Sequence, residues 1–151
     1  MIASQKLEKA IWNVFPEGAS EVYPFIAILM GLKLSGAPEE RVKGIVGDAL
    51  EKLILKNFRD LIIKVSVLKP LVMILEDLHW ADSTSVDLLE SLFRLAASNR
   101  ILFINVMRPD YDTSERILRT LRNRYPDQSV EICLEPLDQS QCATLIGNLL
   151  N

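Results

Sequence analysis

The chain has 151 residues, of which 49% are hydrophobic and 25% are charged. This length suits one domain, and the composition is that of a soluble, core-forming chain and not of a disordered one. A net charge of −3 gives no overall basic field, which argues against a protein that binds nucleic acid or anionic membrane through its total charge. Cys133 and Cys142 lack the spacing of a zinc site or a disulfide framework, so we expect a reducing, cytoplasmic location.

The N-terminal part of the chain is predicted to be helical. Its longest apolar run, residues 23–32, is far shorter than the roughly 20 residues that cross a bilayer, so we expect no membrane span. The N-terminus also lacks the apolar stretch of a signal peptide. Helical spacing of apolar residues predicts helices over 4–15 with Ser4 as N-cap, over 20–34, and from Pro38 to Val65.

After Pro70 the pattern changes to short apolar runs that alternate with helices. Runs of this length, bounded by turn residues, are typical of strands buried on both faces of a sheet. The predicted strands are 71–75, 101–107 and 130–134, and the predicted helices are 83–98 with Asp82 as cap, 113–124, and 137–150 capped by Asp138 or Ser140. This alternation predicts right-handed βαβ units, a parallel sheet and an α/β fold.

Two acidic residues, Glu76 and Asp77, directly follow the first predicted strand. In open α/β sheets, ligands bind at the edge where the strands end. Nucleotide hydrolysis needs one carboxylate near Mg²⁺ and a second acid that orients or deprotonates the attacking water. Adjacent residues can serve both tasks because successive side chains of a strand diverge. The alternative is a solvated acidic turn after a strand.

The string LVMILEDLHWAD, residues 71–82, resembles the Walker B region of STAND-type AAA+ ATPases. Such modules occur in LuxR-type regulators and in adenylate-cyclase-associated and origin-recognition-like ATPases. The resemblance implies an incomplete parallel-sheet P-loop NTPase-like core with ATP and Mg²⁺ as cofactors. It also implies that Glu76 is the Mg²⁺-linked acid and Asp77 the acid linked to water activation. P-loop enzymes more often have Asp at the first of these positions.

The resemblance extends to the second strand and beyond, over about residues 49–150. Arg108, at the end of that strand, would be the sensor arginine that faces the γ-phosphate, and the alternative is a surface arginine in a turn. The implied organisation is a helical segment of the ATPase module at 1–69, a Walker B and sensor part at 70–136, and the start of a helical lid at 137–151.

The sequence contains no GxxxxGK followed by Ser or Thr, and segments 31–33 and 43–44 lack the required glycine spacing. That loop supplies the backbone cradle and the lysine for the phosphates. We therefore expect a fragment, a truncated gene product or a degenerate homologue that does not hydrolyse ATP by itself. The expected partners are the missing N-terminal part of the module, other protein domains, or a second copy of the chain.

Two functions remain open at this point. One is an ATP-dependent signalling switch in the intact module, and the other is a non-enzymatic regulatory or interaction domain. His79 has no partner His or Cys nearby in the sequence, so packing beside Trp80 is favoured over a role as metal ligand or base. The predicted helix 113–124 carries four arginines: Arg116, Arg119, Arg122 and Arg124. They could supply an arginine finger or contact nucleic acid, but a solvated helix face is favoured. Nucleic acid is therefore not expected as a partner.

Overall fold

The computed structural model describes residues 2–150, which form seven α-helices and two β-strands. In chain order these are α1 (Ile2–Val14), α2 (Ala19–Leu29), α3 (Ala37–Val42), α4 (Gly47–Leu68), β1 (Leu71–Leu75), α5 (Ser83–Phe93), β2 (Ile101–Asn105), α6 (Asp112–Arg124) and α7 (Gln139–Leu150). Short 3₁₀ helices at Leu78–Trp80 and Arg94–Ala97 precede and follow α5. Within this described range, every helix is too short or too polar to cross a membrane.

The two strands pair in parallel, which confirms the predicted direction of the sheet. Leu71 lies opposite Ile101, and the register continues without a break to Leu75 opposite Asn105. Helix α5 connects the strands as the crossover of a βαβ unit. Both strands therefore end at the same edge of the sheet, which is the edge that carries the two acids.

One face of this sheet is covered by helices. Its side chains pack against Ile62 of α4, Leu92 of α5 and Ile117 of α6. The sheet residues on this face are Leu71, Met73, Leu75, Ile101 and Phe103. This covered face, together with the three helices, forms the core of the α/β part of the chain.

The opposite face of the sheet is bare in the part of the chain that the structure describes. Its four central side chains are all apolar and all exposed: Val72, Ile74, Leu102 and Ile104. A parallel sheet is ordinarily buried on both faces. We call this four-residue surface the bare face.

The predicted third strand, 130–134, is wrong. These residues have no regular structure, and the side chains of Val130, Ile132 and Leu134 are between 79% and 88% exposed. Strand propensity records how well a residue fits a pleated, half-buried surface, and here no neighbouring strand provides that surface. An ion pair between Glu131 and Arg122 instead ties the segment to the last turn of α6. Among the described residues the sheet therefore has two strands, not three.

Three predicted helix boundaries are also wrong, each for a local reason. Ser4 lies inside α1, where its hydroxyl is hydrogen-bonded to Tyr23 of α2, and does not cap the helix. Helix α2 ends at Leu29 because Gly31 adopts a positive φ of 66° and the N–H of Leu32 returns to the carbonyl of Ala27. The predicted helix from Pro38 to Val65 is divided into α3 and α4 by a break that includes Gly44.

Other predicted ends are closer to the structure. Helix α5 ends at Phe93 and continues as a 3₁₀ helix, and β2 ends at Asn105, two residues earlier than predicted. Both predicted acidic caps are confirmed, since Asp82 accepts from the N–H of Ser85 and Asp138 accepts from the N–H of Gln141, each at 2.8 Å.

A second core joins the N-terminal helices. Helix α2 contributes most of its buried residues, and α1 and α4 pack against it. The buried members of this cluster are Ile11, Ala19, Val22, Tyr23, Ile26 and Ala27. The first part of the apolar run, which includes Pro24, thus lies in a buried helix of this core.

Candidate functional site

The candidate site lies where the two strands end. Glu76 and Asp77 follow β1, and Arg108 lies three residues beyond β2. Two backbone hydrogen bonds hold the chain together past the strands, since the N–H of Val106 donates to Leu75 at 2.8 Å and the N–H of Leu78 donates to Val106 at 3.2 Å. The acids and the Arg108 backbone therefore lie at the same edge of the sheet.

Asp77 turns the chain sharply at this edge. Its backbone is left-handed, with φ 52° and ψ 32°, a conformation that Asp tolerates better than most residues. Its carbonyl accepts from the N–H of Trp80 at 2.9 Å and so closes the 3₁₀ turn. The carboxylate is left in solvent, with its side chain 76% exposed, and Glu76 beside it is also exposed.

His79 is buried directly beneath this turn, with only 4% of its surface exposed. Its ring centre lies 5.0 Å from that of Trp80 and 4.8 Å from that of Tyr111. Packing beside Trp80 is therefore confirmed, and Tyr111 is a second partner that sequence reasoning missed. Trp80 itself is 72% exposed, so the cluster of these three rings is open to solvent at Trp80 and buried at His79.

The two ring nitrogens of His79 have different environments. Nδ1 lies 3.5 Å from the backbone N–H of Arg108, which donates a long hydrogen bond to it. Nε2 is buried and has no hydrogen-bond partner in the described residues, and the closest acidic group is the Asp77 carboxylate, at 3.9 Å. The side-chain oxygen of Asn105, at the end of β2, is a second buried atom without a partner there. Such atoms are uncommon in folded proteins, so each of them calls for an explanation.

The Arg108 backbone is held from both sides. His79 accepts from its N–H, and the hydroxyl of Ser114 donates to its carbonyl at 2.7 Å. Ser114 is almost completely buried in the first turn of α6, and the Arg108 side chain is exposed. No pattern in the sequence indicates Ser114, because only the fold brings it back to a residue six positions earlier.

The donor atoms at this edge fit Mg²⁺ better than a transition metal. Mg²⁺ takes oxygen ligands and is commonly held by one or two carboxylates together with substrate phosphates and water. Glu76 and Asp77 present two exposed carboxylates of this kind. Among the described residues, no group of three or more His, Cys, Asp or Glu side chains could hold a metal ion. Glu76 and Asp77 would therefore need phosphate oxygens to complete the metal's coordination.

Two of the four arginines on α6 have partners within the chain. Arg116 pairs with Asp87 and Glu90 of α5, and Arg122 pairs with Glu131. Burial acts to raise the pKa of the Glu90 carboxyl, but hydrogen bonds from Arg116 and Thr120 outweigh it, so this pKa lies below its ordinary value. The carboxylates of Glu90 and Asp87 likewise raise the pKa of Arg116. Arg116 therefore acts as a link between α5 and α6.

A model of the family described as AAA ATPase domain matches residues 5–104, two-thirds of the chain. The match begins and ends earlier in the chain than the resemblance, which was expected to cover about residues 49–150. It includes most of α1, all of α2 to α4, and Glu76 and Asp77, and it ends before Arg108. No curated protein and no solved structure matches the chain.

Proposed function

The chain belongs to the AAA ATPase domain family, and from this premise we propose that it supplies the acidic edge of an ATP- and Mg²⁺-dependent signalling switch of the STAND type. One observation carries the proposal. Two adjacent, exposed carboxylates, Glu76 and Asp77, follow β1 at the edge where both parallel strands end. This is the position at which α/β sheets bind their ligands.

The proposed roles follow from chemistry and position. Glu76 directly follows the strand, is exposed, and would hold Mg²⁺, which neutralises charge that develops on the phosphates. Asp77 projects from a left-handed turn into solvent and would orient the attacking water. Arg108 is exposed at the neighbouring strand end and would contact the terminal phosphate. A Glu at the first position reaches farther than an Asp and would hold the ion farther from the strand.

The phosphate-binding loop would come from a separate segment of the ATPase module. Two observations support this part of the proposal. The printed sequence has no GxxxxGK motif, and the bare face presents four apolar side chains that another layer of the fold could cover. The same face could be covered by another protein domain or by a second copy of this chain.

The proposal is tested by Mg²⁺ titration of the ¹⁵N-labelled chain, with and without ATP. We expect Mg²⁺ to shift the backbone resonances of Glu76 and Asp77, and we expect this shift to disappear in Glu76→Gln and Asp77→Asn. Asp127→Asn, which removes an exposed acid after α6, is the matched control and should leave the response unchanged. Equal responses in all four proteins would remove the assignment of the site.

Hydrolysis measurements separate the acidic edge from the complete site. We expect the chain alone to turn over no ATP above background, because positioning and charge stabilisation by a phosphate loop supply most of this catalysis. A Mg²⁺-dependent turnover that disappears in Asp77→Asn would mean that these 151 residues hold a complete active site. The proposal of a separate phosphate loop would then be wrong.

A second candidate function is a regulatory or interaction domain that keeps the fold without nucleotide chemistry. The bare face favours it, because exposed apolar surface of this kind is typical of an interaction site. This candidate predicts no response of Glu76 or Asp77 to Mg²⁺ or ATP, so the titration above distinguishes the two.

A further inference from the structure

Three features meet at His79 that the proposed function does not use. The imidazole is buried, one nitrogen accepts from the Arg108 backbone, and the other is buried without a partner 3.9 Å from the Asp77 carboxylate. The ring packs against both Trp80 and Tyr111, whose ring centres are themselves 5.7 Å apart. A histidine in this position contacts the chain after β1 and the chain after β2 at the same time.

The hydrogen bond from the Arg108 backbone indicates which ring nitrogen carries the proton. A nitrogen that accepts from a backbone N–H has no proton of its own, so in the neutral ring the proton is on Nε2. That Nε2–H group is a buried donor, and leaving it unpaired costs free energy. A movement of the exposed Asp77 side chain by about 1 Å would bring its carboxylate within hydrogen-bond distance.

We propose that His79 is a positioning residue that couples the Asp77 carboxylate, through Nε2–H, to the backbone of Arg108, through Nδ1. Ser114 completes the arrangement by fixing the Arg108 carbonyl. A change at Asp77, such as the arrival of Mg²⁺ at the acidic edge, is thereby transmitted to the loop that carries Arg108. This inference rests on the proposed function for its ligand, but the hydrogen bonds it requires are testable without any ligand.

The protonated nitrogen can be identified directly, because His79 is the only histidine in the sequence. A two-bond ¹H–¹⁵N spectrum of the uniformly labelled chain should show the pattern of an imidazole whose Nδ1 accepts and whose Nε2 carries a proton. Asp77→Gly, which suits the left-handed backbone, should shift the Nε2 resonance, and Glu76→Gln should not. A proton on Nδ1, or an Nε2 resonance that ignores Asp77→Gly, would overturn the proposal.

Two substitutions test the Nδ1 hydrogen bond and the proposed Nε2 contact separately. His79→Asn keeps an acceptor near the Nδ1 position, and His79→Gln keeps a donor near the Nε2 position. We expect hydrogen exchange of the Arg108 amide to be slow in the unsubstituted chain and in His79→Asn. In His79→Gln we expect it to be about tenfold faster, because one hydrogen bond is lost. Equal exchange rates in all three proteins would contradict the Nδ1 contact.

The coupling between Asp77 and Arg108 is measured by Mg²⁺ titration. In the original chain, Mg²⁺ should shift the resonances of Glu76, Asp77 and also Arg108. In His79→Gln the shifts of the two acids should remain and that of Arg108 should be lost. An unchanged Arg108 shift in His79→Gln would overturn the coupling. If Mg²⁺ shifts none of these resonances, the proposed function fails, and the protonation and exchange results still decide the role of His79.

Discussion

The covered face and the bare face of the sheet are built from the same kinds of residue but lie in different environments. Ile101 and Ile104 belong to the same strand, yet Ile101 is 8% exposed and Ile104 is 40% exposed. Apart from Asn105 at its end, this strand is apolar throughout, a pattern typical of burial on both faces, and its sequence does not state which partner buries which face. The covered face therefore has its covering layer within the described residues, whereas the bare face has none there.

The largest expected effect comes from making the same change on each face. Ile101→Ala should lower the free energy of unfolding by about 2–4 kcal/mol, because it leaves a cavity among packed side chains. Ile104→Ala should lower it by about 1 kcal/mol or less, because the side chain is already partly in water. Denaturant unfolding followed by circular dichroism gives both values. Equal losses would mean that the bare face is buried in solution.

A smaller effect is expected from the link that joins two helices of the covered face. Glu90 of α5 accepts from Arg116 and from Thr120 of α6, the latter at 2.8 Å. Glu90→Gln should lower the free energy of unfolding at neutral pH by about 1 kcal/mol. Glu17→Gln, at an exposed turn before α2, is the control and should change little.

The Glu90 effect should depend on pH in a defined direction. Because the pKa of Glu90 is lowered by folding, its contribution to stability is present above the ordinary value of 4.5 and is lost as the pH falls through the lowered value. The difference between the original chain and Glu90→Gln should therefore shrink in acid. A difference that is constant from neutral pH down to acid would show that the carboxylate charge is not what joins the helices.

The smallest effect on stability is expected from a charge placed on the bare face. Leu102→Lys should change the free energy of unfolding by no more than about 0.5 kcal/mol, as for other exposed positions. The same change should reduce self-association, because it interrupts an exposed apolar surface. Sedimentation velocity over a range of concentrations measures this, with Val46→Lys, the same kind of change at an exposed position before α4, as the control. Unchanged association in Leu102→Lys would exclude the bare face as the contact.

Much of the α/β part could be predicted from the sequence, because its signals are local. The run 71–75 between Pro70 and two acids predicts β1, and Asp82 followed by a polar first turn predicts the start of α5. The segment 130–134 carries a comparable signal and is not a strand, because strand formation depends on a neighbour that the segment itself cannot encode. The glycines at 31 and 44 ended helices that apolar periodicity alone would have continued.

The candidate site, too, could be predicted only in part from the sequence. Glu76, Asp77 and Arg108 could be placed at one edge because parallel strands end together. Tyr111 and Ser114 could not be found, because their contacts with His79 and Arg108 join residues from different elements. The burial of His79 follows from the same tertiary contacts, and no spacing in the sequence specifies it.

Because Trp80 is exposed, it is an intrinsic fluorescent probe at the candidate site. Its indole lies three residues from Asp77, touches the His79 ring, and is mostly open to water. The only other tryptophan, Trp12, lies on α1 in the N-terminal helical part. Trp12→Phe would leave a single fluorophore, whose emission should respond when a ligand or a covering segment reaches the acidic edge. Titrations of unlabelled protein could then be followed by fluorescence at low concentration, where association through the bare face is weakest.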